Sequence, residues 1–126
     1  GGATAITERV ITARSSERIV RAACELARQR RGHLTLVHKA NVLKETCGLF
    51  RRAGLEVAAE YPDLAVDELL VDPVNDRITH LVLRKGHLWG KREVTIPVTE
   101  IDRIEEDTVY LKLDKQAIER LPSSPA

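Results

Sequence analysis

The stretch Val66–Pro73, VDELLVDP, constrains the fold more than any other part of the chain, because two different patterns meet in it. On its N-terminal side, helical periodicity alternates with short extended segments. On its C-terminal side, short strands follow one another through tight turns. A strand shared by both patterns must keep one inside/outside alternation, since a slip of one residue would turn every side chain to the opposite face. The chain is therefore expected to fold around this ribbon.

Ala5–Thr12 (AITERVIT) has alternating β-branched positions and reads as a short strand or extended arm. Ser15 and Ser16 offer an N-cap, with Glu17 in the first turn where the helix dipole favours an anion. Ile19, Ala22, Ala23, Leu26 and Ala27 recur at helical spacing, which predicts a helix over 17–30 with that stripe facing inward. Arg28, Arg30 and Arg31 load its end with cations and Gly32 can stop it. Leu34–Val37 is a short apolar strand. Leu49, Phe50, Ala53, Val57, Ala58 and Tyr61 then mark one side of a second helix that Pro62 ends, with Arg51 and Arg52 read as its solvated face. A βαβαβ pattern over residues 5–72 is most economically a parallel sheet with crossover helices.

The run SERIVRAACELARQRRGHLTLVHKANVLKETCGLF, followed by EVAAEYPDLAVDELLVD, resembles the small-domain segment of the isocitrate, homoisocitrate and isopropylmalate dehydrogenase family over residues 5–72. The resemblance implies an acid/base role for Lys39, substrate or cofactor contact for Asn41, and divalent-metal ligation across a dimer interface for Asp72. The residue types suit those roles. Burial can depress a lysine's pKa until it transfers protons, and Mg²⁺ or Mn²⁺ demands several carboxylate oxygens. After Asp72, however, this chain has Pro73-Val74-Asn75-Asp76 in place of the helix and paired aspartates that complete the family's metal cage. Lys39, Asn41 and Asp72 are accordingly expected to be relics, with no cofactor or metal bound and no small-molecule substrate.

Beyond the turn at 72–76, Ile78–Lys85 and Val94–Val98 read as strands, with Pro97 best tolerated at an edge. Gly86–Arg92 forms a glycine-bounded loop around Trp89. Ile101 and Ile104 lead to the acidic turn Glu105–Asp107, Val109, Leu111 and Leu113 alternate with polar residues, and Lys115–Leu121 can close with a short helix before Pro122. VDPVNDRITHLVLRKGHLWGKREVTIPV and IDRIEEDTVYLKLDKQAIERLP resemble the PRC-barrel family over residues 66–122, without that module's first hairpin. A barrel lacking its first strand leaves an unpaired edge, for which Leu34–Val37 or a second chain is the natural filler.

Charge is balanced in both parts, with 11 Lys+Arg against 10 Asp+Glu in residues 1–72 and 9 against 9 in 73–126, so no basic field for nucleic acid is present. Cys24 and Cys47 lie in apolar helical patterns and read as buried thiols. His33, His38, His80 and His87 show no zinc spacing with them and read as surface or sheet-face residues, while Trp89 is the one candidate anchor for a partner. With no charged-then-apolar leader and no apolar run of roughly 18 residues, a cytoplasmic chain without membrane contact is expected.

Together these readings give an α+β fold in one domain, 1–126. Residues 3–72 form the dehydrogenase-like part and 66–122 the partial barrel, with the ends set aside. The expected function is that of a recombined chain without an intact catalytic site, not an enzyme, folding and forming a homodimer. The alternative is a protein-interaction module using the barrel-like half, and a third reading is residual metal or hydroxy-diacid binding.

Overall fold

A computed structural model describes residues 2–83, 93–105 and 108–121. The first helix, α1 (Ala13–Arg28), starts a turn earlier than Ser15 or Ser16 would place it, because Thr12 is the N-cap and its Oγ1 accepts the Ser15 N–H at 3.2 Å. Ser16 instead donates its hydroxyl to the Thr12 carbonyl at 2.8 Å and is buried. Gly32, at φ +70°, reverses the chain by donating its N–H to the Ala27 carbonyl, a left-handed turn that a glycine adopts without strain. Residues 2–10 are exposed throughout and join no sheet, so Ala5–Thr12 is an arm leading into α1 and not a strand.

The buried stripe of α1 is Ser16, Val20, Cys24 and Ala27; of the expected stripe Ala27 is buried and Ala23 packs against the core, while its two largest residues turn outward. Ile19 and Leu26 are left 61% and 52% exposed. Close approach of the second helix, α2 (Thr46–Ala58), selects the smaller residues. A Cβ on Gly54 of α2 would lie 3.1 Å from Val20 Cγ2 and 3.5 Å from Leu36 Cδ1, so the bulkier stripe has no room there.

Between and after these helices run β1 (His33–His38), β2 (Ala65–Val71), β3 (Ile78–Leu83) and β4 (Val94–Pro97), which form one sheet in the order β1-β2-β3-β4. β2 is the hinge of the design: it pairs parallel with β1 and antiparallel with β3. The fold is thus α+β with a mixed sheet, and Leu34–Val37 does lie beside β2. One core gathers Val20, Cys24, Leu36, Val57, Tyr61 and Leu64 under the helices, and both cysteines are buried free thiols. Burial pushes the Cys24 thiol above its usual pKa.

The barrel expected of the second half does not form among the described residues. Pro97 ends β4 at the edge of an open sheet, a 3-10 turn at Val98–Glu100 redirects the chain, and β5 (Ile101–Glu105) with β6 (Thr108–Leu111) makes a separate two-stranded sheet. The short helix α3 (Lys115–Glu119) is present, capped by the Asp114 carboxylate accepting the Ala117 N–H, and its Ile118 packs with Val94 and Ile96 in a second core. Trp89 and the whole loop Gly86–Arg92, like Glu106–Asp107, lie outside the described residues. Among those described, no helix is long and apolar enough to cross a membrane.

Two glycines of α2 should respond oppositely to substitution. At Gly48 an added Cβ meets only the flexible end of Arg52, so Gly48→Ala should raise stability by about 0.5–1 kcal/mol. Gly54→Val should lower it by about 1–3 kcal/mol by overpacking against Val20. Urea unfolding midpoints check both. A second expectation concerns Tyr61, whose hydroxyl donates to Glu25 Oε1 at 2.8 Å; that hydrogen bond, aided by burial, raises its pKa. The contribution is present below the ordinary tyrosine range and is lost as pH rises through the raised value, so alkaline absorbance titration should show Tyr61 ionising late and a Glu25→Ala variant should move it back down.

Candidate functional site

Parallel strands β1 and β2 end side by side, with His38 in register with Leu70, so Lys39 and Asp72 emerge from the same end of the sheet. The carboxyl ends of parallel strands are where ligands bind in open α/β sheets, because the chain diverges there and leaves a crevice. A pocket of about 270 Å³ opens at this end, lined by Ile11, Val37, Cys47, Phe50 and Val71, with Arg9 and Lys39 supplying cationic groups.

Lys39 Nζ donates to Asp76 Oδ1 at 2.6 Å. Asp76 belongs to the turn after β2, is a non-glycine residue at φ +56°, and has a side chain 77% exposed. The Lys39 carbonyl accepts the N–H groups of Val42 and Leu43, which curls residues 39–43 into a tight turn. Asn41 stands in that turn, and its Oδ1 is buried without a hydrogen-bond partner. Asp72 is occupied locally: its Oδ1 accepts the Val74 N–H at 2.8 Å and its carbonyl accepts the Asp76 N–H. The carboxylates near Lys39 are thus committed to a turn and to an ammonium. Among the described residues no group of three His, Cys, Asp or Glu could hold a metal ion, so this donor set does not fit a divalent cation by itself.

Behind Lys39 lies a network that was not singled out from the sequence. Glu68 of β2 is fully buried. Its Oε1 accepts from Arg51 Nε at 2.7 Å and from His38 Nε2 at 2.8 Å, and its Oε2 accepts from Arg51 Nη2 at 3.3 Å. Arg51 reaches on to Glu93 at 3.4 Å. It is therefore no solvated residue of α2, as Arg52 is. His38 is buried on the sheet, the second of the two placements expected for the histidines. Spacing could have shown it: Cys47, Arg51, Gly54 and Ala58 share one helical face, and Glu68 shares its strand face with the inward Leu70. On the other side of His38, the Ala40 N–H donates to Nδ1 at 3.1 Å. A donated N–H needs a lone pair, so Nδ1 carries no proton, and the ring proton is on Nε2, aimed at Glu68.

Comparison with known proteins places this geometry. A profile of the isocitrate/isopropylmalate dehydrogenase family matches residues 1–85. The 3-isopropylmalate dehydrogenase of Archaeoglobus fulgidus is 52% identical over 65 residues, covering 51% of this chain and 20% of that protein. The 3-isopropylmalate/3-methylmalate dehydrogenase of Methanocaldococcus jannaschii is 45% identical over 75 residues, 56% of this chain and 22% of that protein. The crystal structure of isocitrate dehydrogenase from Methylococcus capsulatus superposes with a TM-score of 0.53 at 49% identity, over 56% of this chain and 21% of that one. The chain thus spans about a fifth of the length of the curated relatives it matches.

These findings overturn the reading of a recombined chain with no enzymatic identity. The family match extends past Val66–Pro73, where the splice was expected, to residue 85. The barrel likeness of residues 66–122, and with it the interaction-module reading, finds support neither in these matches nor in the open sheet. Matching the family profile over two-thirds of its length, the chain belongs to the isocitrate/isopropylmalate dehydrogenase family.

Proposed function

We propose that this chain carries the lysine-bearing part of the active site of a hydroxy-acid dehydrogenase, with Lys39 moving the proton of the substrate hydroxyl. The observation that carries this reading is Lys39, which lines the pocket at the carboxyl ends of β1 and β2 and whose Nζ is held by Asp76. A partner carboxylate as exposed as Asp76 is a resting contact: surface ion pairs contribute about 0–1 kcal/mol, so an arriving substrate displaces it at little cost. Asn41, with its buried orphan Oδ1 two residues away, is the group to receive a donor from the substrate or cofactor. Asp72 supports the turn that presents Asp76, and any metal role for it would require further ligands from elsewhere in the active protein.

The pocket lining favours one substrate class within the family. Isocitrate and 3-isopropylmalate share two carboxylates and a hydroxyl, and differ in a carboxymethyl against an isopropyl branch. Ile11, Val37, Phe50 and Val71 offer an apolar wall to a branched alkyl group, and a third carboxylate would be desolvated there. Arg9, which also lines the pocket, suits one of the two shared carboxylates. The substrate proposed is therefore a 2-hydroxy diacid with an apolar branch.

Grafting residues 5–72 into a full-length relative in place of its own segment tests both points. The graft should oxidise 3-isopropylmalate in preference to isocitrate, and Lys39→Met should lower kcat by about 10²–10⁴-fold, the usual worth of a positioned acid/base group. An unchanged kcat would remove Lys39 from the chemistry.

We also propose that the chain pairs with a second copy of itself. Support comes from Ile6, Val10 and Val37, which are 86%, 77% and 54% exposed, the last on a strand at the sheet edge. Size-exclusion chromatography with light scattering should return twice the chain mass, and a clean monomer would dismiss the pairing.

A further inference from the structure

We infer that Arg51, Glu68 and His38 form a positioning relay that fixes the Lys39–Asn41 turn, a role that rests on reading Lys39 as the reactive base. The relay runs in one direction: the Arg51 guanidinium fixes the Glu68 carboxylate, Glu68 fixes the ring proton of His38 on Nε2, and the bare Nδ1 takes the Ala40 N–H. Ala40 lies between Lys39 and Asn41, so the last bond acts on the peptide that joins the two site residues.

An ionic link is not the only way to hold these layers together. Glu68 faces the same interior as Leu70, and an apolar residue of similar volume there would serve the sheet at least as well, because a buried ion pair is often matched or exceeded by hydrophobic packing. What Glu68 adds is direction. A carboxylate can only accept, so it keeps the Nε2 proton of His38 pointed at itself and leaves Nδ1 free to receive the backbone. With an apolar neighbour the ring could take either tautomer, and in one of them Nδ1–H would confront the Ala40 N–H as a second donor. The turn would then lose its anchor while the β1–β2 pairing stayed intact. Hydrogen bonds behind a reactive group commonly set its orientation in this way.

Long-range ¹H–¹⁵N spectra of the histidine rings, read on the whole chain, test the relay without reference to turnover. His38 should show a bare Nδ1 and a protonated Nε2. Glu68→Gln, which can still accept from Nε2, should keep that pattern. The double variant Arg51→Met/Glu68→Leu should keep the far-ultraviolet spectrum, lose the fixed tautomer, and exchange the Ala40 amide about tenfold faster, as loss of one net hydrogen bond implies. A protonated Nδ1 in the unmodified chain, or unchanged Ala40 exchange in a folded double variant, would overturn the relay. Should the double variant fail to fold, unchanged Ala40 exchange in a folded His38→Phe variant, which lacks the Nδ1 acceptor, would do so instead. In the grafted enzyme, the double variant should lower kcat with KM little changed and Glu68→Gln should rescue it. If the ring and amide behave as expected while Lys39→Met leaves kcat untouched, the relay stands and the catalytic reading of Lys39 falls.

Discussion

A carboxylate with no exposure to water sits on the central strand of this sheet, and the rest of the structure is arranged to make that tolerable. Glu68 reaches Arg51 on α2 and His38 on β1, while Arg51 reaches Glu93 just before β4. One side chain therefore ties the helix layer, the parallel pair and the antiparallel edge together. An isolated charge at that depth would cost several kcal/mol; with Arg51 and His38 donating to it, it becomes a fixed point from which neighbouring geometry is set.

That fixed point bears on chemistry because of where β1 stops. His38 is its last residue, so any constraint on the ring is passed at once to the turn that follows. The cationic rim and the apolar wall of the adjacent pocket come from four separate places in the chain: the N-terminal arm, the end of β1, α2 and the end of β2. Such a site gains its precision from the sheet beneath it and not from the loops that carry it.

Much of this was legible in the sequence, and the failures have physical causes. The motif around Lys39 and Asn41, the two helices and the glycine stop at Gly32 could all be read from pattern and resemblance. The inward face of α1 could not, because Ile19 and Leu26 are the larger hydrophobes and periodicity alone favours them; the narrow gap left by Gly54 chose Val20 and Cys24 instead. The expected barrel is not seen among the described residues: period-two patterning announces strands but not closure, and after Pro97 the chain turns so that β5 and β6 pair in their own sheet. The break assumed at Val66–Pro73 came from treating two partial likenesses as two origins.

The split pairing of β2 also implies an order of assembly. Its antiparallel neighbour begins only a turn away, with Val71 opposite Ile78, whereas its parallel neighbour must be brought from residue 33 to residue 65 around a complete helix. Closing the short loop costs less entropy, so the β2–β3 hairpin is the natural nucleus and β1 docks afterwards. The segment carrying Lys39 then takes its place against a strand pair already formed.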